Sequence, residues 1–464
     1  MEKWDVDFAV IGSGPAGQKG AIQAAKLGKK VVIIEQDFVP GGACLNSGTI
    51  PSKSLREAIV DLTRYNERSF YGQSCIRDIT INDLNYRLNT VLEGEREILY
   101  RQFKKNHISF LQGKARFESP NELAVIDENL RIKAFVKAKK ILIAAGSTPR
   151  NPLHIPFDEE VILDSTRLLH MDKVPKTMLV LGGGIVGTEY ASYFAALGTR
   201  VTILDKKERL LPLLDKEIGC HFQVGLREIG LAFSPRKIPS QITRRGNKGL
   251  VKCEDGSQFE ADVVLYALGR EANVSGLHLE NAHLKLTDRG YIEVNEKFQT
   301  SDPHIFAAGD VIGYPALAST SMEQGRLAAR HAFGHKASKF PKHFPVGIYT
   351  IPEISICGKG EEELQKEGIS YEVGRAYYYE IARSHISGAS QLGLFKILFH
   401  KKTLAILGIH IVGRSATEVI HIGQVAMSLG APVDYFIGQV FNYPTFAEGY
   451  RIAALNGLNK LTHS

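Results

Sequence analysis

"DFAVIGSGPAGQKGAIQAAKLGKKVVIIE", residues Asp7–Glu35, is echoed further along the chain by "TMLVLGGGIVGTEYASYFAALGTRVTILD", residues Thr177–Asp205. Each stretch reads as an apolar strand, a Gly-x-Gly-x-x-Gly turn, an alanine-rich helix, a second strand and a closing acid. The glycines are Gly12, Gly14 and Gly17 in the first copy, and Gly182, Gly184 and Gly187 in the second. In both copies the acid, Glu35 or Asp205, stands 18 positions after the third glycine. One such glycine pattern is weak in a chain with 44 glycines. Two, in matching strand–turn–helix–strand frames closed by a carboxylate, are strong.

Each part of the pattern has a physical task. The first glycine makes a tight turn, the second lets backbone approach a pyrophosphate, and the third allows close helix–strand packing. The helix N-terminus offers free N–H groups and a positive dipole end to the phosphates. Glu35 and Asp205 are placed to accept hydrogen bonds from a ribose. The expectation is two bound dinucleotides.

Composition narrows the class. At 464 residues, 44% hydrophobic and 23% charged, the chain suits an α/β enzyme of two to four domains. It opens into a strand-like run with no leader pattern, and no apolar stretch approaches the ~20 residues needed to cross a bilayer. A cytoplasmic protein with no membrane partner is expected. Five scattered cysteines (Cys44, Cys75, Cys220, Cys253 and Cys357) without a CxxC pair argue against a disulfide framework or structural zinc. The net charge of +7 is modest, and basic residues cluster no further than pairs such as Lys29-Lys30 and Lys139-Lys140, so nucleic acid is not an expected partner. His331 and His335 stand four apart, but Ala332 sits where a zinc-protease helix carries glutamate and Gly334 weakens the helix between them, so no metal site is expected. His400, His410 and His421, and the cysteines other than Cys44, read as structural.

Three further stretches extend the pattern. "KILIAAGSTPRNP" (Lys140–Pro152) reads as a buried strand ending in small residues. "ADVVLYALGR" (Ala261–Arg270) reads as another strand. "HIFAAGDVIGYPALASTSMEQGRLAARH" (His304–His331) offers a strand, a small-residue turn, an aspartate able to bond a polyol, Asp310, and a helix. With "GGACLNSGTIPSK" (Gly41–Lys53) their order resembles the pyridine nucleotide–disulfide oxidoreductases across essentially the whole chain. The resemblance implies an α/β protein with two dinucleotide-binding, Rossmann-like domains, for FAD and NAD(P), and a C-terminal α+β dimerisation domain. The expected boundaries are FAD domain 1–152, NAD(P) domain 153–273, a central region 274–343 completing the flavin site, and an interface domain 344–464. A homodimer or higher homo-oligomer is the expected assembly.

The chain departs from that family in two places. The redox disulfide needs two cysteines flanking four residues, and here Cys44 is followed at that spacing by Thr49. The C-terminal His-Pro-Thr…Glu motif reads Tyr443-Pro444-Thr445 with Glu448. A tyrosine, with an ordinary pKa near ~10, is a poor base at neutral pH. Without a disulfide, electrons entering the flavin from NADPH have no internal outlet. The resemblance therefore implies hydride transfer from NADPH through FAD to NAD⁺ in a ping-pong cycle. A quinone reductase or diaphorase of the same fold, or a non-catalytic flavin-bound redox sensor, are the alternatives.

The resemblance also assigns residues. Lys53 stands beside flavin N5 with Glu189 as its ion-pair partner. Gln36, Gly42, Cys44, Ala115, Ala145, Gly146, Asp310, Ala318 and Gly269 join the glycine motifs, Glu35, Asp205 and Lys206 as cofactor contacts. Asp205 favours NAD(H), because a carboxylate repels a 2′-phosphate. Lys206, Lys207 and Arg209, close behind, would pair with that phosphate if Asp205 turned aside. They equally read as a solvated charge cluster.

Overall fold

The structure, a computed structural model, describes residues 2–63, 80–388 and 393–462. They fall into two compact units: Met1–Ser54 with Tyr86–Arg150 and Arg270–Phe340, and Leu55–Asn85 with Asn151–Gly269 and Pro341–Ser464.

In the first unit, "VVIIE" (Val31–Glu35) is buried at every position. Such a run belongs inside a parallel sheet covered on both faces. It pairs in parallel with Glu2–Ile11 on one side, Phe8 opposite Val31 and Ile11 opposite Ile34, and with Ser109–Gln112 on the other. Ile132–Ile143 joins Glu2–Ile11, and Ile305–Ala307 joins Ile132–Ile143, again in parallel. Lys114–Ser119 and Glu122–Ile126 extend the sheet as an antiparallel flap. Helix Pro15–Lys26 starts with proline in its first turn, where the missing N–H costs nothing. It lies tightly on helix Ala318–Ala332, because a Cβ on Gly325 would sit 2.0 Å from the Ala16 carbonyl oxygen.

The second unit repeats the design and adds to it. Its parallel sheet runs in the order Leu231–Pro235, Arg200–Asp205, Thr177–Leu181, Val263–Tyr266, Ile162–Leu163. The stretch Ala261–Arg270 thus supplies an interior strand of that sheet. An antiparallel meander, Pro239–Arg245, Lys248–Cys253 and Gln258–Ala261, stands beside it. Helix Ile185–Ala196 is buried on all sides from Gly187 to Ala196. The C-terminal part is a five-stranded antiparallel sheet, Val346–Ile348, Ile354–Gly358, Ile406–Val412, Leu394–His400 and Tyr371–Tyr377. Helix Glu448–Thr462 seats on it through two glycines: a Cβ on Gly374 would meet the Ala453 carbonyl at 2.1 Å, and one on Gly457 would meet Phe399 at 2.5 Å. The expected α/β class, with two dinucleotide folds and an α+β C-terminal domain, is what the chain forms. Among the described residues no helix is long and apolar enough to cross a membrane.

Candidate functional site

The two glycine turns are wired alike. In the first, Gly12 has φ +97°, and a Cβ on Gly17 would lie 2.0 Å from the Gly12 carbonyl oxygen. In the second, Gly182 has φ +108°, and a Cβ on Gly187 would lie 2.1 Å from the Gly182 oxygen. The closing acids hold the turns from behind. Glu35 Oε2 accepts from the Ser13 N–H at 2.8 Å and the Ser13 hydroxyl at 2.6 Å, and Oε1 accepts from the Asp37 N–H at 3.1 Å. Asp205 Oδ2 accepts from the Gly183 N–H at 2.5 Å, and Oδ1 from the Lys207 N–H at 2.8 Å. Asp205 is 9% exposed and both its oxygens are engaged, so turning aside would break two bonds. In the structure Asp205 is turned inward rather than aside, and a route to a 2′-phosphate through a swung-away Asp205 would cost those two bonds.

The cradles fit dinucleotides. Neither helix has a side-chain cap: Gly14 and Gly184 are the extended N-cap residues, and open space surrounds both. The first-turn N–H groups of both helices therefore face room for a phosphate. Gly42, at φ +57°, comes so near the first turn that a Cβ there would be 2.9 Å from Gly14 Cα.

The first unit gathers further predicted residues around Asp310. Asp310 Oδ2 accepts from the Ser147 hydroxyl at 2.7 Å. Ser147 in turn accepts from Arg270 Nε at 2.9 Å on its hydroxyl, and from Arg270 Nη2 at 2.6 Å on its carbonyl. Ala145 offers its carbonyl to Asn273 Nδ2 at 2.8 Å, and Gly146 adopts φ +71°. The Gly309 N–H is taken by buried Gln324 at 2.8 Å. Ala318 opens its helix, Ala115 is buried in the flap, and Gln36 is exposed. Sequence reading missed Ser13, Ser147, Arg270, Asn273 and Gln324. Only Ser13 carried a local signal, a hydroxyl between the first two glycines of the motif.

Cys44 lies on the short helix Gly42–Asn46, and Thr49 opens the next helix, Thr49–Leu62, which carries half-buried Lys53. Burial pushes the Cys44 thiol up, against a hydrogen bond with Thr49 that pulls it down; the net direction is up. Glu189, in the second unit, is 4% exposed and its Oε1 accepts from the Tyr349 N–H at 2.8 Å. One helical turn on, Ser192 Oγ accepts from the Ile351 N–H at 3.1 Å, so this face of the buried helix reads the backbone of "GIYTIPEIS". Gly269 takes φ +105° after the strand Val263–Tyr266.

Behind Asp205, Lys206 and Lys207 are exposed, while Arg209 Nη2 pairs with Glu362 at 3.0 Å. Tyr443 is 73% exposed and Glu448 starts the last helix. His331 and His335 do not share a helix face, because their helix ends at Ala332 and Gly334 turns the chain at φ +69°. His410 is buried with Nε2 on the Lys359 carbonyl at 3.0 Å, His421 is exposed against Gln424, and His400 Nδ1 accepts from the Lys402 and Thr403 N–H groups. Cys220, Cys253 and Cys357 are free thiols, the last two buried; Cys75 lies outside the described residues.

Twin glycine turns closed by braced acids, on two parallel sheets, with a C-terminal antiparallel domain define a class, two-nucleotide flavoenzymes. The pyridine nucleotide-disulphide oxidoreductase family matches residues 6–325, and its dimerisation domain matches residues 344–454. The chain belongs to this family. A soluble pyridine nucleotide transhydrogenase of Mycobacterium bovis is 45% identical over 98% of both chains, and one of Escherichia coli is 38% identical over 99% of both. Among solved structures, LpdA of Mycobacterium tuberculosis is similar with a TM-score of 0.90 and 25% identity, covering 97% of this chain and 99% of that one. The HOCl-induced flavoprotein disulfide reductase RclA of Escherichia coli gives a TM-score of 0.85 and 27% identity, with the same coverage.

Proposed function

We propose that the chain is an FAD-dependent enzyme that moves hydride from NADPH to NAD⁺ in a ping-pong cycle. The observation that carries it is Thr49. It occupies the second thiol's place and hydrogen-bonds Cys44, leaving that turn without a dithiol to take electrons onward. The naming of relatives at 38–45% identity supports the same reading. FAD, when bound, supplies the two-electron chemistry, accepting hydride from one pyridine nucleotide and passing it to another.

The chain's own residues bind and orient. The uncapped helix N-termini after Gly14 and Gly184 hold pyrophosphates, and the third glycines, Gly17 and Gly187, set those helices against their strands. Glu35 and Asp205 are held in place by the turns they brace, ready to accept ribose hydroxyls on their remaining lone pairs. Asp310, positioned by Ser147 and through it by Arg270, takes the polyol chain. Gln36, Gly42, Cys44, Ala115, Ala145, Gly146 and Ala318 complete the FAD contacts, and Lys206 and Gly269 those of NAD(P). Lys53 and Glu189 keep the roles the resemblance implies, a lysine at the flavin and its carboxylate partner. The domain boundaries proposed are those read from the sequence, in a cytoplasmic homodimer or higher homo-oligomer whose contact is the C-terminal domain.

Anaerobic NADPH oxidation with thio-NAD⁺, with a quinone, and with neither tests the reading. Turnover with thio-NAD⁺ exceeding that with quinone is expected. Faster quinone reduction with no nucleotide transfer would make the chain a diaphorase. Flavin that NADPH cannot bleach at all would make it a sensor.

A further inference from the structure

The ion pair between Arg209 and Glu362 links two segments that the nucleotide reading does not connect. Arg209 lies on the loop that follows Asp205. That loop folds back over the second glycine turn: the Leu211 N–H donates to the Gly183 carbonyl at 3.0 Å, and a Cβ on Gly183 would strike Leu210 at 2.7 Å. Arg209 therefore stands at the rim of the second nucleotide cradle. Lys206 and Lys207 beside it are exposed and make no salt bridge among the described residues. Arg209 differs: both oxygens of Glu362 face its Nη2, at 3.0 and 3.3 Å.

Glu362 is not a loosely hanging partner. It sits on the short helix Glu361–Lys366, and its neighbour Glu361 is locked down. The Glu361 N–H donates to Asp215 Oδ2 at 3.1 Å, and its carboxylate pairs with the Lys396 ammonium, which is fully buried. Lys396 also holds Asp215 at 2.7 Å and Glu217 at 2.9 Å. Asp215 caps the helix Lys216–Glu228 of the nucleotide domain through the Glu217 and Ile218 N–H groups. The buried cluster thus fixes the helix that aims Glu362 at Arg209. The pair itself is open to water, with side chains 38% and 50% exposed, and an exposed pair of this kind is weak and exchangeable.

Resting on the proposed use of NADP(H), we propose that Glu362 is a specificity-determining residue of the nucleotide site. It occupies the Arg209 guanidinium when the coenzyme has no 2′-phosphate, and yields it to that phosphate when NADP(H) binds. Moving Asp205 away would break the two hydrogen bonds that brace the turn, whereas exchanging the partner of an exposed cation breaks none in the turn, so the site admits both coenzymes by that exchange. Glu362 competes with the phosphate and holds back NADP(H) affinity, while leaving NAD(H) untouched.

The test is calorimetric titration of the flavin-loaded protein with 2′,5′-ADP and with 5′-AMP, which need no turnover. Glu362→Gln should bind 2′,5′-ADP roughly two- to fivefold more tightly, the scale of one exposed pair, with 5′-AMP unchanged. Arg209→Ala should weaken 2′,5′-ADP only, and adding Glu362→Gln in that background should then change nothing. Equal tightening of both ligands, or tightening that persists without Arg209, would reduce Glu362 to a general charge effect and overturn the assignment. No response to Glu362→Gln overturns it as well, while the nucleotide reading survives. Failure of the wild type to bind either ligand would sink both.

Discussion

Replacing Lys396 with methionine deletes the ammonium that Asp215, Glu217 and Glu361 share, while keeping most of the side-chain volume. Removing one partner of a buried ion cluster costs about 3–5 kcal/mol, because the remaining charges stay uncompensated. Glu217 and Glu361 have side chains 25% and 27% exposed, so water screens part of the loss and the lower end, about 3 kcal/mol, is expected. With an unfolding entropy of about 2.1 cal/mol/K per residue, cooperative unfolding of the chain gives about 1 kcal/mol/K, and Tm should fall by about 3 °C. The pH dependence separates lost charge from lost packing. In the wild type, burial works against ionised Asp215 but the Lys396 ammonium overcomes it, and for Glu217 burial is overcome by Arg375 and then Lys396; both carboxyls end below their ordinary values. Burial likewise opposes the Lys396 charge, yet its three carboxylates hold its pKa above the usual value. Depressed acids contribute stability that is complete above their ordinary pKa near ~4 and lost below it, and the raised lysine contributes at every pH below its ordinary ~10.5. Between pH 5 and 8 the wild-type cluster is therefore flat. In the variant the buried carboxylates, stripped of their cation, have raised pKa values, so the folded state takes up protons and gains stability as the pH falls. Thermal melts at pH 5, 6, 7 and 8 should show the Tm deficit shrinking toward pH 5. A deficit that is constant with pH, or below about 1 °C throughout, would refute the argument.

Gly17→Ala should cost the fold of the first turn, because its Cβ would meet a carbonyl at 2.0 Å, whereas Gly14→Ala, with open space around it, should fold and lose flavin. Flavin absorbance with circular dichroism distinguishes them, and normal flavin content in Gly14→Ala would contradict a pyrophosphate there. Cys44, its thiol pushed up by burial, should be alkylated by iodoacetamide at pH 7.5 more slowly than exposed Cys220, as read by peptide mass spectrometry; faster labelling would mean a reactive thiol. Cys44→Ser should keep nucleotide-to-nucleotide hydride transfer within a small factor, and neither form should reduce lipoamide; a collapse of turnover with flavin still bound would make the thiol catalytic. Asp205→Ala removes a ribose acceptor and two bonds that brace the turn, so NADH binding should weaken by roughly 1–3 kcal/mol and NADPH binding by less. An unchanged ratio of the two dissociation constants would take Asp205 out of coenzyme selection.

The parts of this protein that were legible in its sequence are local. Gly12, Gly14, Gly17 and Glu35 sit within one strand–turn–helix–strand unit, where spacing alone carries the geometry, and the second copy doubles the signal. Asp310 was legible as an acid after a strand of small residues. What holds it was not, because Ser147 reaches Asp310 across 163 positions, and Arg270 reaches Ser147 across 123. Lys396 is the clearest omission. Within "LFKILFH" it reads as a polar interruption of a strand, and nothing nearby reveals that its three carboxylates come from two other segments. The pinning of Asp205 was equally hidden, since its partners are backbone N–H groups that any residue would supply.

Thr49 beside Cys44 has a consequence for how the protein meets an oxidising cell. In a dithiol enzyme the flavin and the thiols share one electron reservoir, so peroxide or disulfide stress drains reducing equivalents brought in as NADPH. Here burial pushes the Cys44 thiol up, toward its protonated form, and its hydrogen-bond partner is the Thr49 hydroxyl. A hydroxyl cannot close a disulfide, and a protonated thiol is a poor target for oxidants. On the proposed function, the turn that serves a dithiol enzyme as a gateway between two currencies of reducing power acts here as an insulator, and traffic between the coenzymes runs apart from the state of the thiol pool.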